Sequence, residues 1–267
     1  MVNQFFEALW QQYTAITPQA AAIHELLAER GEQPINDHVA LRTFGTEKLG
    51  LQALAPLIEQ LGYQVKGDYE FTAKNLTAVH FEHEKDPNHP KIFLSELNVE
   101  SLSANLQEIV TGLDAQVDSA LTHKIDFLFS GRPWQLSFAD YIQLLQESEY
   151  AAWMAAFGYR ANHFTVSINH LLTFFDIQAL NVFLQNKDFR LNESGGLVKG
   201  TPEQLLEQSS TLADMVHVEF KDAEHTIPGC FYEFAKRYPQ ANGRLYQGFI
   251  AASADKIFES TDSQKPV

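Results

Sequence analysis

Two short segments of alternating side chains, residues 36–44 and 161–167, constrain the fold of this 267-residue chain most strongly. In each segment a histidine, His38 or His163, lies on one face and apolar residues lie on the other, which is the pattern of a half-buried β-strand. A third segment, 230–235, puts Glu233 in a similar strand setting. Two imidazoles and one carboxylate are the ligand set of mononuclear non-haem iron centres, so the three segments together predict a metal site.

The predicted elements follow the same order in both halves of the chain, although the halves share almost no sequence. Residues 38–97 are predicted to form a strand, a helix and three further strands. The second half repeats this order with a strand at 163–168, a helix at 174–187 and strand-like runs near Leu197, at 215–220 and at 229–235. The recurrence indicates a duplicated βαβββ module.

Two such modules side by side predict an α+β fold with one curved mixed sheet around a metal cavity. The boundaries that we predict are a single compact domain over 1–267, modules at about 36–100 and 160–252, a helical N-terminus at 2–30 and a helical connector at 101–156. A helix at 201–209 and a last strand at 245–251, which would close the cavity, are also predicted.

Strand parity places four candidate residues on polar strand faces. His38 and Arg42 share one face of the first strand, while His163 and Glu233 lie on the polar faces of theirs. If the modules are related by pseudo-symmetry, their opening strands meet near the axis and the four side chains face one cavity. Spacing alone leaves another interpretation open, in which the histidines are strand-end residues bonded to backbone and Arg42 forms a structural ion pair.

Other histidine–carboxylate pairs compete for the role of metal site. His217 with Glu219 is the main rival and His80 with Glu82 is the next, because each pair shares a strand face. Arg42 favours the first site, because a guanidinium beside a metal binds both oxygens of a substrate carboxylate. Fe(II), one glutamate and one arginine would make a positive pocket that attracts a dianion into a chain of net charge −15.

Composition excludes several classes of function. The negative charge and the lack of a basic stripe argue against nucleic acid and anionic membranes as partners. Cys230 is the single cysteine, so neither an intramolecular disulfide nor a Cys-based zinc site is possible. No apolar run reaches the roughly 18 residues of a membrane span, and residues 1–13 lack the basic start of a signal peptide. These features predict a cytoplasmic protein.

Several motifs resemble those of the 2-oxoadipate dioxygenase/decarboxylase family, whose fold is related to the vicinal oxygen chelate enzymes. The matching residues are Asp37-His38-x-Ala40-x-Arg42, Asn162-His163-Phe164-Thr165, Gly195-Gly196-x-x-Lys199-Gly200, and the runs 206–211, 227–235, 248–250 and 254–261. Together they span nearly the whole chain.

The resemblance implies an Fe(2+) centre held by His38, His163 and Glu233, with Arg42 binding the substrate. The implied reaction consumes O2 and a 2-oxo acid, which chelates iron through its carboxylate and keto oxygen. The product would be a 2-hydroxy acid one carbon shorter, 2-hydroxyglutarate if the substrate is 2-oxoadipate, with release of CO2, a reaction of lysine catabolism. Two alternatives remain: a lyase, isomerase or hydrolase with a redox-inert metal, and a non-catalytic binding module.

Overall fold

The computed structural model describes residues 2–261 and is built around an eight-stranded mixed sheet. The strands of residues 2–261 are β1 (Asn36–Phe44), β2 (Tyr63–Phe71), β3 (Leu76–His83), β4 (Lys91–Leu97), β5 (Ala161–Ser167), β6 (Lys199–Thr201), β7 (Leu206–Ser210), β8 (Met215–Glu219), β9 (Glu224–Pro228) and β10 (Phe231–Arg237). The α-helices of the same residues are α1 (Val2–Thr14), α2 (Pro18–Glu29), α3 (Leu51–Glu59), α4 (Ala104–Asp114), α5 (Phe138–Glu147), α6 (Glu149–Phe157), α7 (Ile177–Gln185) and α8 (Ala251–Phe258).

The strand order β2-β3-β4-β1-β5-β10-β7-β6 carries a two-fold pseudo-symmetry. The opening strands β1 and β5 pair antiparallel at the centre of the sheet. On each side the opening strand lies parallel to the last strand of its own half, β1 with β4 and β5 with β10. The predicted α+β fold with a mixed sheet made by two related halves is therefore confirmed.

The second half departs from the prediction at two places. Strand β8 was expected in the main sheet, but it pairs with β9 in a separate hairpin. The helix predicted at 201–209 is wrong: Thr201 caps only a single 3-10 turn, Pro202–Gln204, and strand β7 follows. Leu205 has a φ of +66°, and this left-handed residue ends the turn and starts the strand.

The connector between the halves is less helical than predicted. Residues 117–128, which lie within the connector predicted to be helical, form turns and the start of a 3-10 segment, Ile125–Phe129. The last part of the connector forms two helices, α5 and α6, which meet at Ser148. The Ser148 hydroxyl accepts a hydrogen bond from Ala151 N and caps α6. Every side chain of α6 from Tyr150 to Phe157 is buried, so the connector packs directly on the sheet.

The apolar strand faces are covered by the N-terminal helices. Trp10 and Tyr13 of α1 both lie 5.1 Å, ring centre to ring centre, from Phe164 of β5. The Tyr13 hydroxyl also donates to the backbone oxygen of Phe231 on β10. Burial of each such side chain contributes about 1.5–3 kcal/mol to the free energy of unfolding. This packing stabilises the central strands from the apolar face of the sheet. Within residues 2–261 no helix is long and apolar enough to cross a membrane.

Candidate metal centre and substrate pocket

Strand register explains why two histidines and a glutamate meet. His38 on β1 lies opposite Thr165 on β5, and Thr165 lies opposite Glu233 on β10. The three residues therefore form one row across three adjacent strands. His163 precedes Thr165 by two residues and so lies on the same face, next to the row. The strand faces of His38, His163 and Glu233 were predicted correctly from the sequence, whereas their alignment across the sheet follows from the strand pairing.

The three side chains form a buried triad. Glu233 Oε1 lies 3.6 Å from His38 Nε2, and Glu233 Oε2 lies 3.0 Å from His163 Nε2. One nitrogen or oxygen from each residue falls within 4.8 Å of the others. Among residues 2–261 this is the one such group of three histidine, cysteine or acidic side chains. Each residue is at most 4% exposed.

The outer nitrogen of each imidazole is bound to an acceptor. His38 Nδ1 lies 2.8 Å from Asp37 Oδ1, and His163 Nδ1 lies 3.0 Å from Asn162 Oδ1. Because these oxygens accept hydrogen bonds, we assign the protons to Nδ1, which leaves the Nε2 lone pairs facing Glu233. Lone pairs and a carboxylate crowded together in a buried site repel one another unless a cation lies between them. The donor set therefore fits a divalent metal ion with oriented imidazole ligands.

Electrostatics favour the protonation states that a metal requires at His163 and Glu233. Burial lowers the pKa of His163, with Glu233 opposing this effect, so the imidazole stays neutral. Burial alone would raise the pKa of Glu233, but His38, His163 and a hydrogen bond from Gln208 lower it. Gln208 Nε2 donates to Glu233 Oε1 at 2.6 Å. Gln208 was not among the predicted site residues because it lies in β7, which had been predicted as helix.

Arg237 is a second residue that the sequence did not reveal, and it is connected to the triad through Asp37. Its Nε and Nη2 donate to the two oxygens of Asp37 at 2.7 and 2.8 Å, and all of these groups are buried. Burial alone would raise the pKa of Asp37, but Arg237 and His38 lower it well below its usual range. Nη1 of Arg237 donates to the backbone oxygens of Tyr246 and Gly248. One guanidinium therefore links the first histidine strand to the segment that covers the site.

The covering segment is not the strand predicted at 245–251. Leu245 forms a single bridge with Pro239, and the chain then enters α8. Phe249 still closes the site, since its ring centre lies 4.8 Å from that of His38 in an edge-to-face contact. Phe249 and Phe258 line a cavity of about 20 Å³ at the triad, which has room for about one water molecule.

Arg42 lies on the predicted strand face but in a different cavity. Its guanidinium carbon lies 4.8 Å from the Tyr150 ring, 4.9 Å from Trp153 and 5.5 Å from Phe258. Burial lowers the pKa of Arg42, and electrostatic interactions with Tyr150 and Glu149 oppose that effect. Within residues 2–261, Nε and Nη1 of this buried guanidinium have no hydrogen-bond partner. Arg42 is also one of the residues that line a cavity of about 240 Å³.

The rival histidine pairs lie apart from the triad. His217 has a 72% exposed side chain on the β8–β9 hairpin, where it contacts Glu224 instead of Glu219. His80 does contact Glu82, at 3.2 Å, but its other nitrogen is bonded to the Tyr69 hydroxyl. Neither pair is joined by a third ligand within the described residues.

The fold and the triad define the class of protein: a mixed curved sheet of two related halves that carries a two-histidine, one-carboxylate site. Three solved structures share this architecture over most of the chain. One from Ralstonia eutropha, described as a glyoxalase superfamily protein, is 23% identical and matches at a TM-score of 0.76 over 93% of this chain and 85% of its own. A Shewanella frigidimarina protein, provisionally described as a hydrolase, is 56% identical at a TM-score of 0.90 over 94% of this chain and 98% of its own. The hydroxyglutarate synthase of Oryza sativa in complex with 2-oxoadipate is 32% identical at a TM-score of 0.92 over 97% of this chain and 91% of its own.

Sequence comparison gives the family. Residues 2–245 match the 2-oxoadipate dioxygenase/decarboxylase family. The curated rice enzyme of that name is 34% identical over 280 residues, which cover 95% of this chain and 76% of the rice protein. The Arabidopsis thaliana enzyme is 32% identical over 97% of this chain and 78% of its own length. The chain belongs to the 2-oxoadipate dioxygenase/decarboxylase family, as the sequence motifs predicted, and is an enzyme of that family.

Proposed function

We propose that this enzyme uses Fe(II) and O2 to convert a 2-oxo dicarboxylic acid, 2-oxoadipate or a close homologue, into CO2 and the 2-hydroxy acid one carbon shorter. The observation that carries the proposal is the buried triad with both Nε2 atoms directed at Glu233. Family membership and the rice structure described with 2-oxoadipate support the substrate class. The atoms of this reaction balance, because both atoms of O2 enter the organic product and the original carboxyl group leaves as CO2.

The chain's residues have separate roles in this proposal. His38, His163 and Glu233 would hold iron, which activates O2 and binds the 2-oxo acid when present. Asp37 and Asn162 keep the two imidazoles in the ligating tautomer. Phe249 covers His38 and excludes water from the reacting end of the substrate.

Arg42 would bind the distal carboxylate of the substrate. Its buried, unpaired Nε and Nη1 give it the donors for a charge-assisted hydrogen bond. On the same face of β1, Arg42 lies four positions after His38, a span of about 13 Å between Cα atoms. That separation suits a dicarboxylate with one end at the triad and the other at the guanidinium.

The test is turnover by protein loaded anaerobically with Fe(II) and then given O2 and a panel of 2-oxo acids. We expect O2 uptake, CO2 release and 2-hydroxy acid in equal amounts. His163→Ala should abolish all three, whereas His217→Ala, which removes an exposed histidine, should leave them unchanged. No turnover across the panel with iron bound would overturn the proposal. Turnover that persists with Zn(II) and without O2 would instead support the hydrolase, lyase or isomerase alternative.

A further inference from the structure

One side chain, Phe258, borders both cavities of the candidate active site. Within the described residues it is the only one that lines both the small cavity at the triad and the larger one at Arg42. The triad lines only the first cavity and Arg42 only the second. A substrate that reaches from the triad to Arg42 must therefore pass along the Phe258 ring.

The present space at the triad is too small for such a substrate. The cavity there measures about 20 Å³, whereas the one at Arg42 measures about 240 Å³. The Phe258 ring lies 5.5 Å from the Arg42 guanidinium carbon and 5.4 Å from the Phe71 ring. Its volume occupies the passage that the methylene chain of a dicarboxylate would need.

Hydrogen bonds hold the backbone at Phe258 and at the residues that follow it. Thr261 Oγ1 donates to the Phe258 oxygen at 3.1 Å. Two residues on, Ser260 accepts a hydrogen bond from Asn192 Nδ2 and its backbone oxygen accepts one from Ala213 N. The residues that follow α8 are thus bonded to loops of the second half at Asn192 and Ala213. A change of side chain at position 258 should alter the passage itself and leave the helix where it is.

We propose that Phe258 sets the length of the 2-oxo dicarboxylate that the enzyme accepts. The ring fills the space between the metal end and the Arg42 end, so that it admits a chain of limited length and excludes longer ones. This inference rests on the proposed function, because it takes the triad and Arg42 as the two ends of one substrate site. A smaller side chain should admit additional methylene groups, and each one buried is worth about fourfold in affinity.

The test compares Phe258→Leu and Phe258→Trp with a matched control, Phe5→Leu, which truncates a buried aromatic of α1 that lines neither cavity. Calorimetry on Zn(II)-loaded protein without turnover gives the Kd of 2-oxoglutarate, 2-oxoadipate and 2-oxopimelate. Oxygen uptake by Fe(II)-loaded protein gives kcat/KM for the same acids. We expect Phe258→Leu to raise the preference for the seven-carbon over the six-carbon acid about fourfold in both measurements, the value of one buried methylene group. Phe258→Trp should shift the length preference toward the five-carbon acid. The control Phe5→Leu should change the preference less than twofold.

The outcomes separate this inference from the proposed function. An unchanged length preference in folded, metal-binding Phe258→Leu overturns the role of Phe258, and if that variant fails to fold, Phe258→Met carries the same expectation. Binding of the acids in the expected order by Phe258 variants, without O2 uptake by any of the proteins, supports the inference and contradicts the dioxygenase. A wild-type protein that binds none of the three acids overturns the inference.

Discussion

Arg237, the last residue of β10, forms a two-point ion pair with Asp37, the residue that precedes the first histidine of the triad. Asp37 also accepts the hydrogen bond of His38 Nδ1, so an arginine 200 residues away orients a proposed metal ligand. The same guanidinium binds the backbone that carries Phe249 over the site. Ligand orientation and closure of the cavity therefore depend on one side chain.

Loss of Arg237 should damage both stability and metal binding. Arg237→Ala leaves the buried carboxylate of Asp37 without its cation, which typically costs about 3–5 kcal/mol in the free energy of unfolding. Denaturant titration and metal titration measure the two effects. Arg190→Ala, which removes an exposed arginine, is the control and should change neither. Wild-type metal affinity in a folded Arg237→Ala protein would show that the ion pair does not orient His38.

Removal of the metal should lower thermal stability, because an ion that binds only the folded triad stabilises it by mass action. At a thousandfold excess over Kd the gain is about 4 kcal/mol. Thermal unfolding of wild-type protein with and without added Fe(II) or Zn(II) measures this gain. The stabilisation should disappear in His38→Ala and Glu233→Gln and persist in His217→Ala. Equal metal-induced shifts in all four proteins would place the metal elsewhere.

Gln208 should tune metal affinity through Glu233. Gln208→Ala removes the amide that donates to Glu233 Oε1, and loss of such an outer contact typically reduces metal affinity about 10–100-fold. Isothermal titration with Zn(II) is the direct measurement. Gln204→Ala, at an exposed position before β7, is the matched control and should bind as the wild type does. If Gln208→Ala binds with wild-type affinity, the amide does not position the carboxylate.

Glu32 gives a pH-dependent contribution to folding away from the site. It accepts hydrogen bonds from Leu172 N, Thr173 N and Thr173 Oγ1 at 2.6, 2.7 and 2.6 Å. Burial alone would raise the pKa of Glu32, but these bonds lower it, so the stabilisation is present above the usual glutamate pKa and is lost as the pH falls through the folded-state value. Glu32→Gln should lower the free energy of unfolding by about 1–3 kcal/mol at pH 7.

Chemical denaturation of Glu32→Gln and wild type between pH 7 and pH 3 measures that dependence. The difference between the two proteins should narrow at the acid end, because protonated Glu32 loses its charge-assisted bonds. Glu29→Gln changes an exposed glutamate of α2 and is the control. A difference that stays constant with pH would mean that the charge of Glu32 is not what stabilises the loop at 171–173.

The alternation of side chains allowed the fold and the faces of His38, His163 and Glu233 to be predicted, because strand periodicity is local information. The row that His38 and Glu233 form through Thr165 depends on register between distant strands, which no local pattern encodes. Parity put Arg42 on the correct face, but the cavity that it lines is bordered by residues from distant parts of the chain, among them Tyr150 of α6 and Phe258.

Two other features of the site lay outside the reach of sequence patterns. Gln208 was predicted to lie in a helix because Thr201, a good helix cap, precedes it. The helix does not form beyond Leu205, whose left-handed conformation could not be predicted from the sequence. The pairing of Asp37 with Arg237 joins opposite ends of the chain and becomes visible only when β1 and β10 flank β5.

Isotope labelling with ¹⁸O2 tests the central claim most directly. Fe(II)-loaded enzyme that turns over 2-oxoadipate in ¹⁸O2 should give 2-hydroxyglutarate with two labelled oxygens, one in the new carboxylate and one in the hydroxyl group, and unlabelled CO2. Mass spectrometry of the product reads this as an increase of four mass units. A product with no label, or a product that forms equally well without O2, would contradict the assignment of this chain as a dioxygenase.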